Sequence, residues 1–442
     1  MRNLPGHVFH RRLGSPLPMV EKAEGMWIED SKGHRYLDAS GGAIVLNTGH
    51  CREEIARAVY DQILRSDYVH PTIFSTSVVE KLADGLAKHA PSGIERFYFL
   101  SGGGEAIETA IKMARQIHLD NGRPHRIRLI SRWKSYHGLT MGALSATGRT
   151  TFRSPYVPFL NDAIHIPPPY CLRCSYGLKY PECGCRCALA LEETIQNAGP
   201  ETVSAFLAET VSGGTLAAYP PPPEYFSIIR KICDQYNVLL ILDEVMCGLG
   251  RTGRWFASEH FGVVPDIVTM GKGLGGGAIA LSAVGVQSKH YEAICRESGI
   301  FVHGGTFTHH GPAAAAGLAV IRILEREKLV ERAARYGEIF GEKLRRGLSD
   351  HPNVADIRGI GFLWGVEFVK NKETLEPFSR REKVVEKLWE SIFQKGVVMY
   401  KSTGLAGTDG DALLIGPSFI IGEDEMDVIV NAIAQALTET LG

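Results

Sequence analysis

One lysine stands among five glycines in DIVTMGKGLGGG, residues 266–277, directly after an apolar run. A long cationic side chain on so bare a backbone suits a phosphate-binding loop, or an amine that must reach a ligand and react with it. GKGLGG matches the dinucleotide fingerprint at Gly271, Gly273 and Gly276, but that fingerprint should open a helix. The succeeding stretch, GAIALSAVGV, is β-like, and no Ser or Thr comes after the lysine as a Walker loop requires. Lys272 therefore reads as a reactive amine on a tight loop.

Three further stretches offer chemistry. Asp243 closes the apolar run VLLILD, where an aspartate is costly unless a cation meets it. A protonated pyridine nitrogen or a structural arginine would serve. SGGGEAIETAIKMAR places glycines before a helix whose Ile107, Ala110, Ile111 and Ala114 share one face. Bare N–H groups at a helix N-terminus make a phosphate cradle, and an ordinary strand–helix turn would look the same. Glu209 closes a third apolar run, VSAFLAE.

These groups need elements to position them. Between residues 95 and 286, RFYFL, RIRLIS, VSAFLAE, VLLILD, DIVTMG and LSAVGV are short and largely apolar, the mark of strands covered on both faces. Helical spacing separates them, as in EYFSIIRKICDQYN, so the reading is α/β with a mostly parallel sheet. Ser101, Glu209, Asp243 and Lys272 then lie at the carboxyl ends of strands, where open α/β sheets bind ligands. The C-terminal part differs: one long charged helix over 313–349, strands at DIRGIGFLWGVEFV, GVVMY and ALLIGPSFII, and a closing helix from Asp424. The expected organisation is an N-terminal segment (1–55) joining the small domain, a large domain (56–312) and a small α+β domain (313–442). GMWIEDSKGHRYLDASGG reads as a hairpin turning at DSKG.

With 48 basic against 49 acidic residues in 442, nothing favours nucleic acid or an anionic membrane. No run approaches the ~20 apolar residues of a membrane span, and the N-terminus lacks a signal's apolar core. Nine cysteines, several scattered singly, suit a reduced cytoplasm. Five of them, Cys171, Cys174, Cys183, Cys185 and Cys187, crowd one insertion, which is expected to be a free-thiol loop with no metal because a structural zinc site usually shows two separated pairs.

Taken together, DSKGHRYLDASGGAIVLNTGH, FYFLSGGGEAIETAIKMAR, SYHG, LLILDEVMCGLGRTGRWFA, PDIVTMGKGLGGG and GGTFTHHGPAAAA resemble the class III pyridoxal-phosphate aminotransferases, over nearly the whole chain. The resemblance implies fold type I (aspartate-aminotransferase-like), pyridoxal 5′-phosphate as cofactor, and a homodimer, or a tetramer built from it, with shared sites. It implies Lys272 as the Schiff-base lysine and proton shuttle, and Asp243 as partner of the pyridine nitrogen. Tyr136 and Val245 would pack on the two ring faces, with Gly103 and Gly104 at the phosphate. Thr306 would reach the phosphate from the other subunit, and Glu209 would lie near cofactor and substrate.

The departures bear on detail. Gly104 stands where the family often has a hydroxyl, Met246 where glutamine commonly meets the cofactor's 3-oxygen, and Thr210 where proline follows the glutamate. Leu414 occupies the place of the arginine that holds an α-carboxylate. That last change resembles the amine:pyruvate and ω-amino-acid branch, implying an ω-amino acid or primary amine as donor and a small keto acid such as pyruvate as acceptor. Arg149 and Arg153 are candidates for the displaced carboxylate-binding role. A racemase, aminomutase or decarboxylase of the same fold, or an acetylornithine-like enzyme, would keep Lys272 and Asp243.

Overall fold

The computed structural model describes residues 7–11 and 17–442, so residues 1–6 and 12–16 of the expected N-terminal segment lie outside the described residues. Strands β1 (Val20–Glu24), β2 (Trp27–Asp30) and β3 (Arg35–Asp38) form an antiparallel meander. Its β2–β3 turn is built as DSKG suggests. Asp30 Oδ1 accepts the N–H groups of Lys32 and His34 at 2.9 and 3.0 Å, and Gly33 takes the positive φ of 81° that a side chain would resist.

Seven strands make the central sheet: β4 (Ile94–Leu100), β5 (Arg128–Arg132), β6 (Ala163–Ile166), β7 (Val203–Glu209), β8 (Leu239–Asp243), β9 (Ile267–Met270) and β10 (Ser282–Gln287). Their order is β4-β10-β9-β8-β7-β5-β6, and β10 alone of the seven runs against the rest. Strands β7, β8 and β9 are buried throughout because both faces are covered. Alternation divides them: Val203, Phe206, Leu240 and Leu242 pack under helices Arg186–Ala198 and Tyr225–Tyr236, whereas Ala205, Leu207, Leu239 and Ile241 pack under helix Gly103–Asp120. Strand β6 was not expected; it is short, and His165 and a flanking aspartate interrupt its apolar pattern.

Strands β11 (Val354–Ile360), β12 (Leu363–Phe368), β14 (Tyr400–Ala406) and β15 (Asp409–Ile415) form an antiparallel C-terminal sheet, while the two-residue β13 (Val397–Val398) joins β3 in the N-terminal one. The single helix expected over 313–349 is two, Gly311–Arg326 and Leu329–Leu348, separated at Lys328 with its left-handed φ of 51°. The first is buried on nearly every side, and the second is amphipathic, turning Phe340 and Leu344 towards the core around Trp364. One straight helix could not meet both surroundings. Strand β15 stops at Ile415, before Gly416 and Pro417, since proline donates no ladder hydrogen bond.

Candidate active site

Parallel pairing assembles the site. Glu209 and Asp243 are register partners at the ends of β7 and β8, and Asp243 is in turn opposite Thr269 on β9. Lys272 follows two residues after β9, so three strand ends in a row bring a lysine and two carboxylates together. All three line one cavity of about 180 Å³, with Gly103, Gly104, Tyr136, His137, Val245 and Met246 among its other walls.

Asp243 is buried, with Oδ2 2.8 Å from Nδ1 of the buried His137 and Oδ1 accepting the Val245 N–H at 3.0 Å. Nε2 of His137 has no hydrogen-bond partner among the described residues. His137 was not singled out from the sequence, although it stands beside Tyr136 in SYHG; a histidine 106 residues from its aspartate leaves no periodic signal. Glu209 accepts the N–H groups of Gly213 (2.9 Å) and Tyr136 (3.3 Å), and burial raises its pKa despite the nearby His137. Lys272 sits in left-handed backbone at φ 44°. Burial lowers its amine to about 8, Asp243 and Glu209 opposing the shift, and Nζ makes no hydrogen bond among the described residues.

The glycine turn opens helix Gly103–Asp120. The carboxylate of Glu105 accepts the N–H groups of Ser101 and Gly102 at 3.0 and 3.2 Å, and the helical ladder begins with Ala106 N–H to Gly102 carbonyl at 3.0 Å. The N–H groups of Gly103 and Gly104 precede that ladder and are the donors left for an anion. A side chain at Gly103 would place its Cβ 2.8 Å from Val245, so the cradle is shut to any larger residue; at Gly104 the nearest atom is 3.4 Å away, on Thr140.

Each departure has a place. Met246 and Val211 line the cavity, and Leu414 is buried behind that wall with Val211 and Cys247. Thr210 donates to Glu244 at 3.1 Å; that carboxyl also takes the N–H groups of Ala257 and Ser258, and burial lifts it to about 7. Thr306 is exposed and does not line the cavity of its own chain, and neither do Arg149 and Arg153. The nine cysteines form no disulfide, and no group of three or more His, Cys, Asp or Glu among the described residues is placed to hold a metal ion.

The pyridoxal phosphate implied by the sequence fits these residues. A buried amine lies with a buried carboxylate, a tyrosine and a valine line the space between them, and unbonded backbone donors lie at a turn that a Cβ would block.

Comparison with known proteins agrees. The family model described as "Aminotransferase class-III" matches residues 9–437. The chain is 34% identical to a putrescine–pyruvate aminotransferase of Pseudomonas aeruginosa, over 96% of this chain and 91% of that one. It is 36% identical to a taurine–pyruvate aminotransferase of Bilophila wadsworthia, over 94% and 91%. An amine transaminase from an uncultivated Pseudomonas species, solved in its PLP-bound form, superposes with a TM-score of 0.92 at 29% identity, covering 99% of this chain and 100% of that chain.

Proposed function

The chain belongs to the class-III aminotransferases, whose cofactor is pyridoxal 5′-phosphate, and from that premise we propose that it moves an amino group from an ω-amino acid or primary amine to a small keto acid such as pyruvate. The observation that carries the donor class is the apolar Leu414 behind the cavity wall, where an α-amino-acid enzyme would hold its substrate's carboxylate with arginine. When bound, the cofactor supplies an aldehyde for amine exchange and a ring that stores the electron pair released at the substrate carbon.

The chain's own residues do the rest. Lys272 holds the cofactor through Nζ, and its amine, lowered to about 8, takes and returns a proton near neutral pH. Asp243 keeps the ring nitrogen protonated, and His137 Nδ1, 2.8 Å away, fixes which way that carboxylate faces. Tyr136 and Val245 enclose the ring, and Gly103 and Gly104 offer backbone N–H groups to the phosphate. The raised Glu209 sits beside Asp243 without an ion pair among the described residues, able to share a proton at Oε with the ring's polar edge.

We assign the active form to a cytoplasmic homodimer in which Thr306 reaches the phosphate of the neighbouring subunit. Its exposure outside its own cavity supports this, as do the exposed apolar neighbours Phe307, Tyr68, Ile73 and Phe74. Among the described residues no helix is long and apolar enough to cross a membrane. The domain boundaries near 56 and 313 remain the division we favour. The test is a donor panel on protein reconstituted with pyridoxal phosphate: β-alanine, putrescine and an arylalkylamine should outrun ornithine and glutamate with pyruvate as acceptor. A preference for the α-carboxyl donors moves the chain to an acetylornithine-like role.

A further inference from the structure

Next to the Lys272 cavity lies a second one, of about 480 Å³, between the turn at 148–154 and the β14–β15 hairpin. Six hydroxyl side chains line it (Thr150, Thr151, Ser154, Thr215, Thr403 and Thr408), together with two cations, Arg149 and Lys134, and no carboxylate. Arg149 Nη2 donates to Thr403 Oγ1 at 2.8 Å and Nε to Thr151 Oγ1 at 3.3 Å, while its guanidinium lies 4.5 Å over the Phe152 ring. It forms no ion pair among the described residues. Burial works most against its charge and Arg11 and Arg380 add to that, while Tyr400 and Tyr136 oppose the shift.

Other enclosed arginines meet a carboxylate, a carbonyl or an imidazole; Arg132 donates Nη2 to the Glu209 carbonyl, although its Nη1 has no partner among the described residues. Arg358 pairs with Glu367 at 2.8 Å, and Arg251 donates to the carbonyls of Leu46, Phe362 and Pro417. Arg153, the other candidate from the sequence, donates to the carbonyls of Ser145 and Thr147 and meets His165 at 3.1 Å. Arg149 alone of these holds a desolvated charge against hydroxyls only, the state that an incoming anion relieves.

Its position says which anion. Tyr136 walls the Lys272 cavity, Phe152 meets Tyr136 edge-on at 5.8 Å, and Arg149 covers Phe152. Arg149 thus lies two aromatic rings, Tyr136 and Phe152, beyond the Lys272 cavity. An α-carboxylate sits one bond from the reacting carbon and stays inside the first cavity; an acid group at the far end of the donor does not. Resting on the amine-to-keto-acid reading above, we propose that Arg149 receives the terminal acid group, carboxylate or sulfonate, of an ω-amino acid donor, with Thr403 and Thr151 orienting the guanidinium.

The test uses holoenzyme and compares kcat/KM for 5-aminopentanoate and 6-aminohexanoate, ω-amino acids with chains long enough to pass both rings, with that for putrescine, which has no acid group. In a ping-pong enzyme each donor's kcat/KM reports its own half-reaction. For R149Q the acid-to-putrescine ratio should fall by about 10- to 100-fold, the cost of one charged hydrogen-bonded contact. R149K should lose less, and T403V about threefold. Equal losses on all donors, in R149Q and in the milder T403V alike, would mean a structural role and overturn the proposal. A loss confined to kcat/KM for pyruvate would assign Arg149 to the acceptor and overturn it too. A wild type that uses putrescine but no ω-amino acid removes the inference and leaves the amine reading standing. No turnover of any donor with pyruvate would defeat that reading itself.

Discussion

The central sheet buries an aspartate at each of its two edges, and the pair differ in what surrounds them. Asp266, just before β9, accepts from Leu240 N–H (2.9 Å) and meets Arg230 (2.8 Å), His290 (2.9 Å) and Lys289 (3.4 Å), which hold its carboxyl well below the usual range. Asp243, at the opposite edge, has His137, a backbone N–H and a long contact from Thr269 at 3.4 Å, and among the described residues no arginine or lysine within ion-pair distance. Nearby stand an amine that makes no hydrogen bond among the described residues and a carboxyl whose pKa is raised. A sheet built only for stability would pair these charges as it pairs Asp266. Left as they are, they suit the ring nitrogen, aldehyde and phosphate of a cofactor.

The sharpest way to break this contrast is at Lys272. Lys272→Ala should lower turnover by about 10⁴-fold or more, because the amine is both tether and proton carrier. The same change removes a buried charge that makes no hydrogen bond among the described residues and leaves the left-handed backbone as it was, so the apoprotein's melting temperature should hold or rise. A clear fall in that temperature would show that the lysine is structural. Borohydride treatment of the wild-type holoenzyme followed by peptide mapping should leave the cofactor on Lys272 and on no other lysine.

Next come the two aspartates as a matched pair. Asp243→Asn should keep the fold and cost about 10²- to 10³-fold in kcat, through a charge lost opposite the ring. Asp266→Asn should do the reverse, costing roughly 1–3 kcal/mol in urea unfolding by weakening the acceptor of Arg230, His290 and the Leu240 N–H while Arg230 keeps Asp234 at 2.7 Å, with kcat little changed. Since its folded pKa is depressed, the stabilisation from Asp266 is fully present above an unfolded aspartate's ~3.9 and is lost as the pH falls below that. Similar kinetic penalties at both positions would end the distinction. His137 is the smaller lever: His137→Ala leaves Asp243 charged but unaimed, and about a 10- to 100-fold loss in kcat, with the cofactor still bound, is expected.

The sequence carried the strand ends because parallel strands point the same way: once VSAFLAE, VLLILD and DIVTMG are strands of one sheet, Glu209, Asp243 and Lys272 must meet at one edge. It could not carry His137, nor choose between Arg149 and Arg153. His137 belongs to a loop after a strand and Arg149 to the link between two short helices, and each meets its neighbour only through tertiary packing: His137 to Asp243 across 106 residues and Arg149 to Thr403 across 254. The helix break at Lys328 was equally silent, since no glycine or proline marks the stretch EREKLVERAA. What forces it is the difference between a helix buried on every side and one with a single apolar face.

The smallest expected effect concerns pH, and it again separates the two edges. Burial moves the Lys272 amine from 10.5 to about 8, so near pH 7 roughly one molecule in ten carries the neutral nucleophile and by pH 9 most do. The rate at which apoprotein takes pyridoxal phosphate onto Lys272 should therefore rise by about tenfold between pH 7 and 9 and level off above the midpoint near 8. The direction comes from the sign: a lowered amine pKa frees the reactive form at a pH where an exposed lysine stays charged. Asp266 and its partners do not touch the cavity, so an Asp266→Asn protein that remains folded should show the same midpoint. Asp243→Asn should lower it further, because the carboxylate is the largest influence holding the proton on the amine. Stopped-flow absorbance of cofactor uptake across pH 6–10 reads both shifts. A midpoint near 10.5 in the wild type would mean that the amine is not desolvated at all, and the contrast between the two edges of the sheet would then rest on geometry without the electrostatics.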